Sequence, residues 1–388
     1  MKKSYPHIPG HMSEALASAT LGRRAFLLSS AAAAAGATLG AWIPQARAEG
    51  MGGTLEMMAW EGYTLQKEAA KWLSDEGVTL RAGIMGNQDD VTAKLTGTSP
   101  VRLDIVEYSN GYGKIYDDLK VMQPLDVSKL PNYTPENIFA PFYQGEMWAW
   151  RDQTWAIPAF WGLDTLIYNP ELTGFELTSY TDLLRPELTG KIAFLDNPLT
   201  TWPQIAKLAG YGDVYPNMTT DQLADCFQKM APYREQTKVY ATSNGDVVSL
   251  FAAGEIAACF CVWNGVLEET ARQNVRTLSA NPKEGGAVWV DAWFIPHTAA
   301  NVEAAHGLIN QAIDPRVQAE ISNAVATCTV SPKAVPLLDD VGRTTFDYEN
   351  FDEQFKVLKI YGLPPLESTE FATYSNWLQA WADFRAGF

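Results

Sequence analysis

Ala156-Ile157-Pro158-Ala159-Phe160-Trp161-Gly162-Leu163-Asp164-Thr165-Leu166-Ile167-Tyr168-Asn169 is the stretch that decides the fold of this chain. It reads as extended and aromatic, with polar residues set between apolar ones. A second stretch of the same kind is Val288-Trp289-Val290-Asp291-Ala292-Trp293-Phe294-Ile295-Pro296. Prolines near their ends favour edge or connecting strands over central ones. Both therefore read as crossings between two larger bodies.

Outward from the crossings the chain alternates strands and helices. Leu55 to Ala59 is a short apolar strand, and Thr64 to Glu76 an amphipathic helix with Leu65, Ala69, Trp72 and Leu73 on one face. Val78 to Ala82 is a strand, Asp89 to Leu95 a helix, and Leu103 to Tyr108 a strand. That β-α-β-α-β order predicts a mostly parallel sheet covered by helices. A second series follows, with strands at Lys191 to Leu195 and Ile256 to Trp263. Its helices are Trp202 to Gly210, Thr220 to Met230 (capped by Thr219 or Thr220), Ser243 to Ala253 and Glu268 to Asn274. Val302 to Ile313, Pro315 to Asn323 and Tyr374 to Phe384 complete the helices. The fold class is α/β, in two lobes: 49–160 with 292–335, and 161–291 with 336–388. Two such lobes leave a cleft between them, at the carboxyl ends of parallel strands, where ligands bind.

The N-terminus reads as an export leader. Arg23 and Arg24 precede Ala25-Phe26-Leu27-Leu28 and an Ala-rich apolar run, and Ala46-Arg47-Ala48 has the small-x-small form of a cleavage site. A paired arginine before a mildly hydrophobic run resembles a twin-arginine signal over 1–48. Gly22 stands where a hydroxyl residue is usual. The run from Ala25 is also long enough for a membrane anchor, but its Ala, Gly and Ser content suits a cleaved leader better. The expected compartment is the periplasm.

The leader carries Lys2, Lys3, Arg23, Arg24 and Arg47 against Glu14, so a whole-chain charge of −16 leaves −20 on the mature chain. That argues against nucleic acid or anionic lipid as a partner and modestly attracts cations. Four cysteines, Cys226, Cys259, Cys261 and Cys328, show no zinc spacing. A bond from Cys226 to one of the close pair and buried free thiols both stay open. Cys259 and Cys261, two apart on a strand, share a face and should not pair with each other. No cofactor or metal is expected.

Three segments resemble a known family. They are Trp155-Ala156-Ile157-Pro158 with Trp161-Gly162; Gly254-Glu255-Ile256 with Val262-Trp263-Asn264-Gly265; and Pro282-Lys283-Glu284-Gly285-Gly286 with Trp289-Val290-Asp291 and Ile295-Pro296. In this order they resemble the periplasmic spermidine/putrescine-binding proteins of ABC importers. The resemblance implies a two-lobe periplasmic-binding-protein fold of type II, hinged by two crossover strands. It implies a monomer with no catalysis, serving an inner-membrane permease and ATPase complex.

The resemblance also implies site residues. Trp60, Trp263 and Trp289 fall on ligand-stacking positions, Asp291 on the acid that holds an amine, and Ser109 on a hydroxyl position. The chemistry fits an alkylammonium ligand: carboxylates accept its N–H bonds, and aromatic faces cover its methylenes and attract its charge. A carboxylate at Asp291, between two tryptophans in an apolar strand, is costly unless paired. The chain departs from the family at Asn197 and Thr200, where two carboxylates are expected, although Asn197 itself stays a candidate ligand-binding residue. It departs also at Gly111, which replaces an aromatic, and at Thr327, which replaces a tyrosine. Asp164, Glu61 or Asp196 is the candidate replacement acid. With a replacement, a diamine such as putrescine or the triamine spermidine fits. Without one, a monocation, quaternary amine or zwitterion fits better.

Other classes find less support. The chain has no G-x-S-x-G elbow, P-loop or H-E-x-x-H motif, and only His297 and His306 follow the leader. A periplasmic hydrolase built on paired carboxylates is the rival enzyme. Anion binders on the same fold want helix N-termini and Arg, and ferric binders want clustered Tyr and His. A sensor subunit presenting its ligand to a receptor has the same sequence signature as a transport protein.

Overall fold

The computed structural model describes residues 51–85 and 88–387; the leader reading of 1–48 lies outside them. Eight strands make one continuous path. They are β1 (Thr54–Ala59), β2 (Thr79–Ile84), β3 (Ile105–Ser109), β4 (Ile157–Tyr168), β5 (Ile192–Leu195), β6 (Thr237–Ala241), β7 (Ala258–Trp263) and β8 (Ala287–Pro296). Their spatial order is β2-β1-β3-β8-β4-β7-β5-β6. The outer trios are parallel within themselves, β2-β1-β3 at one end and β7-β5-β6 at the other. Between them lie β8 and β4, antiparallel to each other and to the strands beside them.

The helices that cover these strands include α1 (Ala70–Asp75), α2 (Gln88–Thr96), α3 (Pro198–Leu208), α4 (Thr220–Gln236), α5 (Asn244–Ala252), α6 (Val302–Ala312), α7 (Pro315–Val325) and α8 (Tyr374–Ala386). Thr219 opens α4 with a reciprocal cap: its hydroxyl accepts from Gln222 N, and the Gln222 side chain accepts from Thr219 N.

Burial follows the two lobes. One core gathers Leu55, Ile105, Phe160, Trp161, Trp293, Phe294 and Leu308. On the far trio and the adjoining end of β4, side chains alternate between faces. Leu166, Phe194 and Phe260 join Trp202, Phe227 and Trp377 on one side; Ile167, Ala193 and Val262 join Val247 and Phe251 on the other. A sheet buried on both faces is what the apolar runs of β5 and β7 require. β4 and β8 each pass from one core to the other: Trp161 packs in the first and Leu166 in the second, Val288 in the first and Ala287 in the second.

Three sequence expectations are corrected. First, the prolines argued against central strands, yet β4 and β8 are the two innermost. Pro158 is tolerated because the register jumps from Asp291–Phe160 to Ala292–Pro158, a bulge at which a missing N–H costs no ladder bond. Second, the helix expected from Thr64 spans only Ala70–Asp75. Leu65 takes a positive φ of 57° and Gly62 one of 94°, because the chain turns to bring Tyr63 onto Phe160, the rings stacked at 4.6 Å. Third, Cys259 and Cys261 do not share a face. A bulge between Cys259 and Val262 sends Cys261 into one core and Cys259 into another. All four cysteines are buried free thiols.

Candidate functional site

The site forms where β1, β3, β5 and β7 end and where β4 and β8 run side by side. Register decides what faces it. Ala287, Trp289 and Asp291 on β8 pair with Asp164, Gly162 and Phe160 on β4. Asp291 also pairs with Ser109 on β3, and Asp164 with Trp263 on β7. Directly paired residues share a face, and the face repeats every second residue. Asp164, Trp289 and Asp291 therefore line one strip. The four steps from Ala287 to Asp291 cover about 13 Å of strand.

Asp291 is 5 % exposed. Ser109 Oγ donates to its Oδ1 at 2.6 Å, and the Trp60 side chain donates to it as well. Burial pushes its carboxyl up to about 7, against the pull of those donors and with a further push from Asp164. Asp164 is 3 % exposed. Burial likewise raises it to about 7, and a hydrogen bond from Thr200 opposes the rise. Thr200 thus occupies a position where the resemblance implies an acid, and supplies a donor to an acid on the neighbouring strand. Neither aspartate, nor Glu107, takes part in an ion pair among the described residues.

The tryptophans depend on glycines. A Cβ at Gly162 would lie 2.4 Å from the Trp289 ring, and one at Gly265 would lie 2.2 Å from the Trp263 ring. Each indole thus lies across backbone that has no side chain. Both rings are only partly buried, as a contact surface within reach of solvent requires.

Of the residues singled out in the sequence, the structure brings Trp60, Ser109, Asp164, Trp263, Trp289 and Asp291 together. Glu61 and Asn197 are not part of this strip. Glu61 is exposed, one residue beyond Trp60. Asn197 is exposed and caps α3, accepting from Leu199 N at 2.9 Å. Asp196 is engaged elsewhere, accepting from Trp381 Nε1 at 2.6 Å and pairing with Arg385. Gly111 has no room for the implied aromatic: a Cβ there would meet Leu199 at 2.3 Å and Leu363 at 2.6 Å. Tyr112 packs against Tyr116. Thr327 donates to Trp161 O at 3.2 Å and is hydrogen-bonded to the Tyr63 hydroxyl.

Sequence reading missed Glu107, Tyr63 and Asn110. Glu107 is fully buried beside Asp291; its only signal was a lone acid inside an apolar strand. Asn110 Oδ1 accepts from Val290 N at 2.9 Å, and its Nδ2 donates to Tyr361 O. Among the described residues no group of His, Cys, Asp or Glu is placed to hold a metal ion. No helix among them is long and apolar enough to cross a membrane.

Residues 67–345 match the family described as bacterial extracellular solute-binding protein. The chain belongs to this family. It is 25% identical to the putrescine-binding periplasmic protein SpuD of Pseudomonas aeruginosa, over 86% of this chain and 92% of that protein. It is 24% identical to the spermidine/putrescine-binding periplasmic protein 1 of Haemophilus influenzae, over 79% and 89%. Its fold is similar to that of PotD from Streptococcus pneumoniae, a spermidine/putrescine ABC transporter substrate-binding protein. The TM-score is 0.71 at 19% identity, over 86% of this chain and 99% of that one. This family member therefore has the two-lobe architecture expected from its crossings, and its role is solute binding.

Proposed function

We propose that this solute-binding protein captures a small organic cation, a diamine such as putrescine or a related polyamine, between its lobes. It then delivers the solute unchanged to an ABC permease and ATPase complex. One observation carries the reading. Asp164 and Asp291 are both buried, lie on one strip with the Trp289 indole between them, and pair with no cationic side chain among the described residues. A buried carboxylate without a counter-charge costs several kcal/mol, and a ligand with an ammonium group at each end would supply two. Trp60, Trp263 and Trp289 would cover the methylenes, each worth about 0.5–2 kcal/mol toward a cation. Ser109 and Thr200 would hold the two carboxylates in place.

The protein would act in the periplasm, reached by the twin-arginine route, as a monomer. The relatives' names, which place them in the periplasm, support this compartment. The hinge would lie near Phe160–Asp164 and Val290–Trp293, dividing 49–160 with 292–335 from 161–291; the 336–388 segment would serve both sides, with Phe346 and Phe351 packing in the first core and Trp377 and Trp381 in the second. Closure would be driven by contacts that the ligand makes only when the lobes meet.

The test is a tryptophan-fluorescence titration of the protein, stripped of carried solute, with putrescine, spermidine, choline, betaine and sulfate. Saturable binding of the di- or triamine, lost in both Asp164→Asn and Asp291→Asn, supports the reading. Binding of choline or betaine alone would move the ligand to monocations and zwitterions. Silence toward every amine would sink it.

A further inference from the structure

Two acids lie three residues apart at the start of β3 and within it, and the fold treats them differently. Asp104 is fully buried and fully satisfied. It accepts from Glu56 N at 2.9 Å, Ala300 N at 2.7 Å and Asn301 N at 2.9 Å, and pairs with Arg102 at 3.0 Å. Glu107 is fully buried too, yet among the described residues its Oε2 accepts only from Trp60 N, at 2.9 Å. Its Oε1 has no hydrogen-bond partner among the described residues. It lies two residues from Ser109, on the face of β3 that Asp291 pairs with.

The groups around Glu107 are acidic or neutral. Asp291 faces it from β8, and Asp164 acts on Asp291 from β4. Tyr63 comes from the loop after β1, its phenol kept neutral by burial, with the buried Cys328 thiol beside it. Trp60, Ser109 and Thr327 add only neutral side chains. Two neighbouring buried carboxyls cannot both stay ionised without a counter-charge. Burial and the Asp291 charge both push the Glu107 carboxyl upward.

We propose that Glu107 is a third acid of the site, that it and Asp291 share one negative charge in the ligand-free protein, and that a ligand's ammonium group releases the proton they hold. On binding, the Glu107 O–H bond breaks, its electron pair stays on the carboxylate, and the proton passes to solvent. One end of the strip then carries more negative charge than Asp291 alone, so the site favours doubly charged amines over singly charged ones of the same length. Binding strengthens as pH rises. This deepens the cation reading above and rests on it.

The experiment is calorimetric titration of putrescine and of n-butylamine, which share a four-carbon chain, in phosphate and in Tris at about pH 7. The buffer difference reads the protons released. In the wild type, putrescine binding releases about one proton or more per site. Glu107→Gln lowers that release by about one proton and cuts the preference for putrescine over butylamine by about tenfold or more, about 1.4 kcal/mol. The wild-type preference also grows between about pH 5.5 and pH 8, a readout that does not depend on the variant folding. Proton release and preference unchanged in a folded Glu107→Gln, or a wild-type preference flat with pH, would overturn the proposal. If the wild type binds neither amine, the cation reading itself has failed.

Discussion

As the proposed ligand acids, Asp291 and Asp164 would be costly to the ligand-free protein and useful to the complex, which makes the two effects separable by mutation. Removing one partner of a buried charged contact costs about 2–5 kcal/mol, so Asp291→Asn is expected to weaken amine binding by about thirtyfold or more. The same change relieves an unpaired buried charge and should raise the ligand-free unfolding temperature at pH 8; calorimetry of both species reads the two effects. Their pH dependence has a definite sign. Both carboxyls sit at about 7 in the fold against 3.8 ordinarily. Each therefore contributes stability that is complete below about pH 4 and is lost as pH rises through about 7. The ligand-free protein should lose unfolding temperature across that window, and the shift produced by a bound amine should be larger at pH 8 than at pH 5. Gly162→Ala is the third change at this scale. Its methyl would stand 2.4 Å from the Trp289 ring, so the indole must leave its seat. The loss should be about 0.5–2 kcal/mol of amine affinity, read by fluorescence titration.

At the scale of elements, the crossings were legible because a strand buried on both faces and passing between two cores leaves a long apolar, aromatic run. Their place at the sheet centre was not legible. Pro158 signals an edge, and only the pairing register reveals that it sits at a bulge. The same limit applies to Cys259 and Cys261, whose two-residue spacing fails where a bulge interrupts it. Glu107 was hidden for a different reason. A lone acid in a strand reads as a solvated edge residue until the neighbouring strands are known to bury it. Trp60, Ser109, Trp263, Trp289 and Asp291 were legible by resemblance, and Asp164 because it is an acid in a crossing. Glu61 and Asn197 were weaker candidates, one a replacement acid and the other standing where an acid is expected; both are exposed, and Asn197 serves as a helix cap. Asn110 ties β3 to β8 and to Tyr361 through its side chain. Asn110→Ala leaves buried backbone groups unpaired, so it should lower unfolding stability by about 1–3 kcal/mol in denaturant titrations.

At the scale of the whole molecule, the sheet holds two parallel trios joined by two antiparallel strands, and the acids sit on the joining strands. Charge and aromatic cover therefore coincide with the strands that join the trios, where the proposed hinge would let one ligand engage both lobes at once. A bound solute should stabilise the protein by about 2.7 kcal/mol at a hundredfold excess over Kd. The central claim is that Asp164 and Asp291 hold the two ends of one organic cation. Calorimetric titration of putrescine into the wild type, Asp164→Asn, Asp291→Asn and the double variant tests it most directly. The account predicts tight binding by the wild type, a large loss in each single variant, and losses that do not add in the double variant because both acids serve one ligand. Unchanged affinity in folded Asp164→Asn and Asp291→Asn would contradict it.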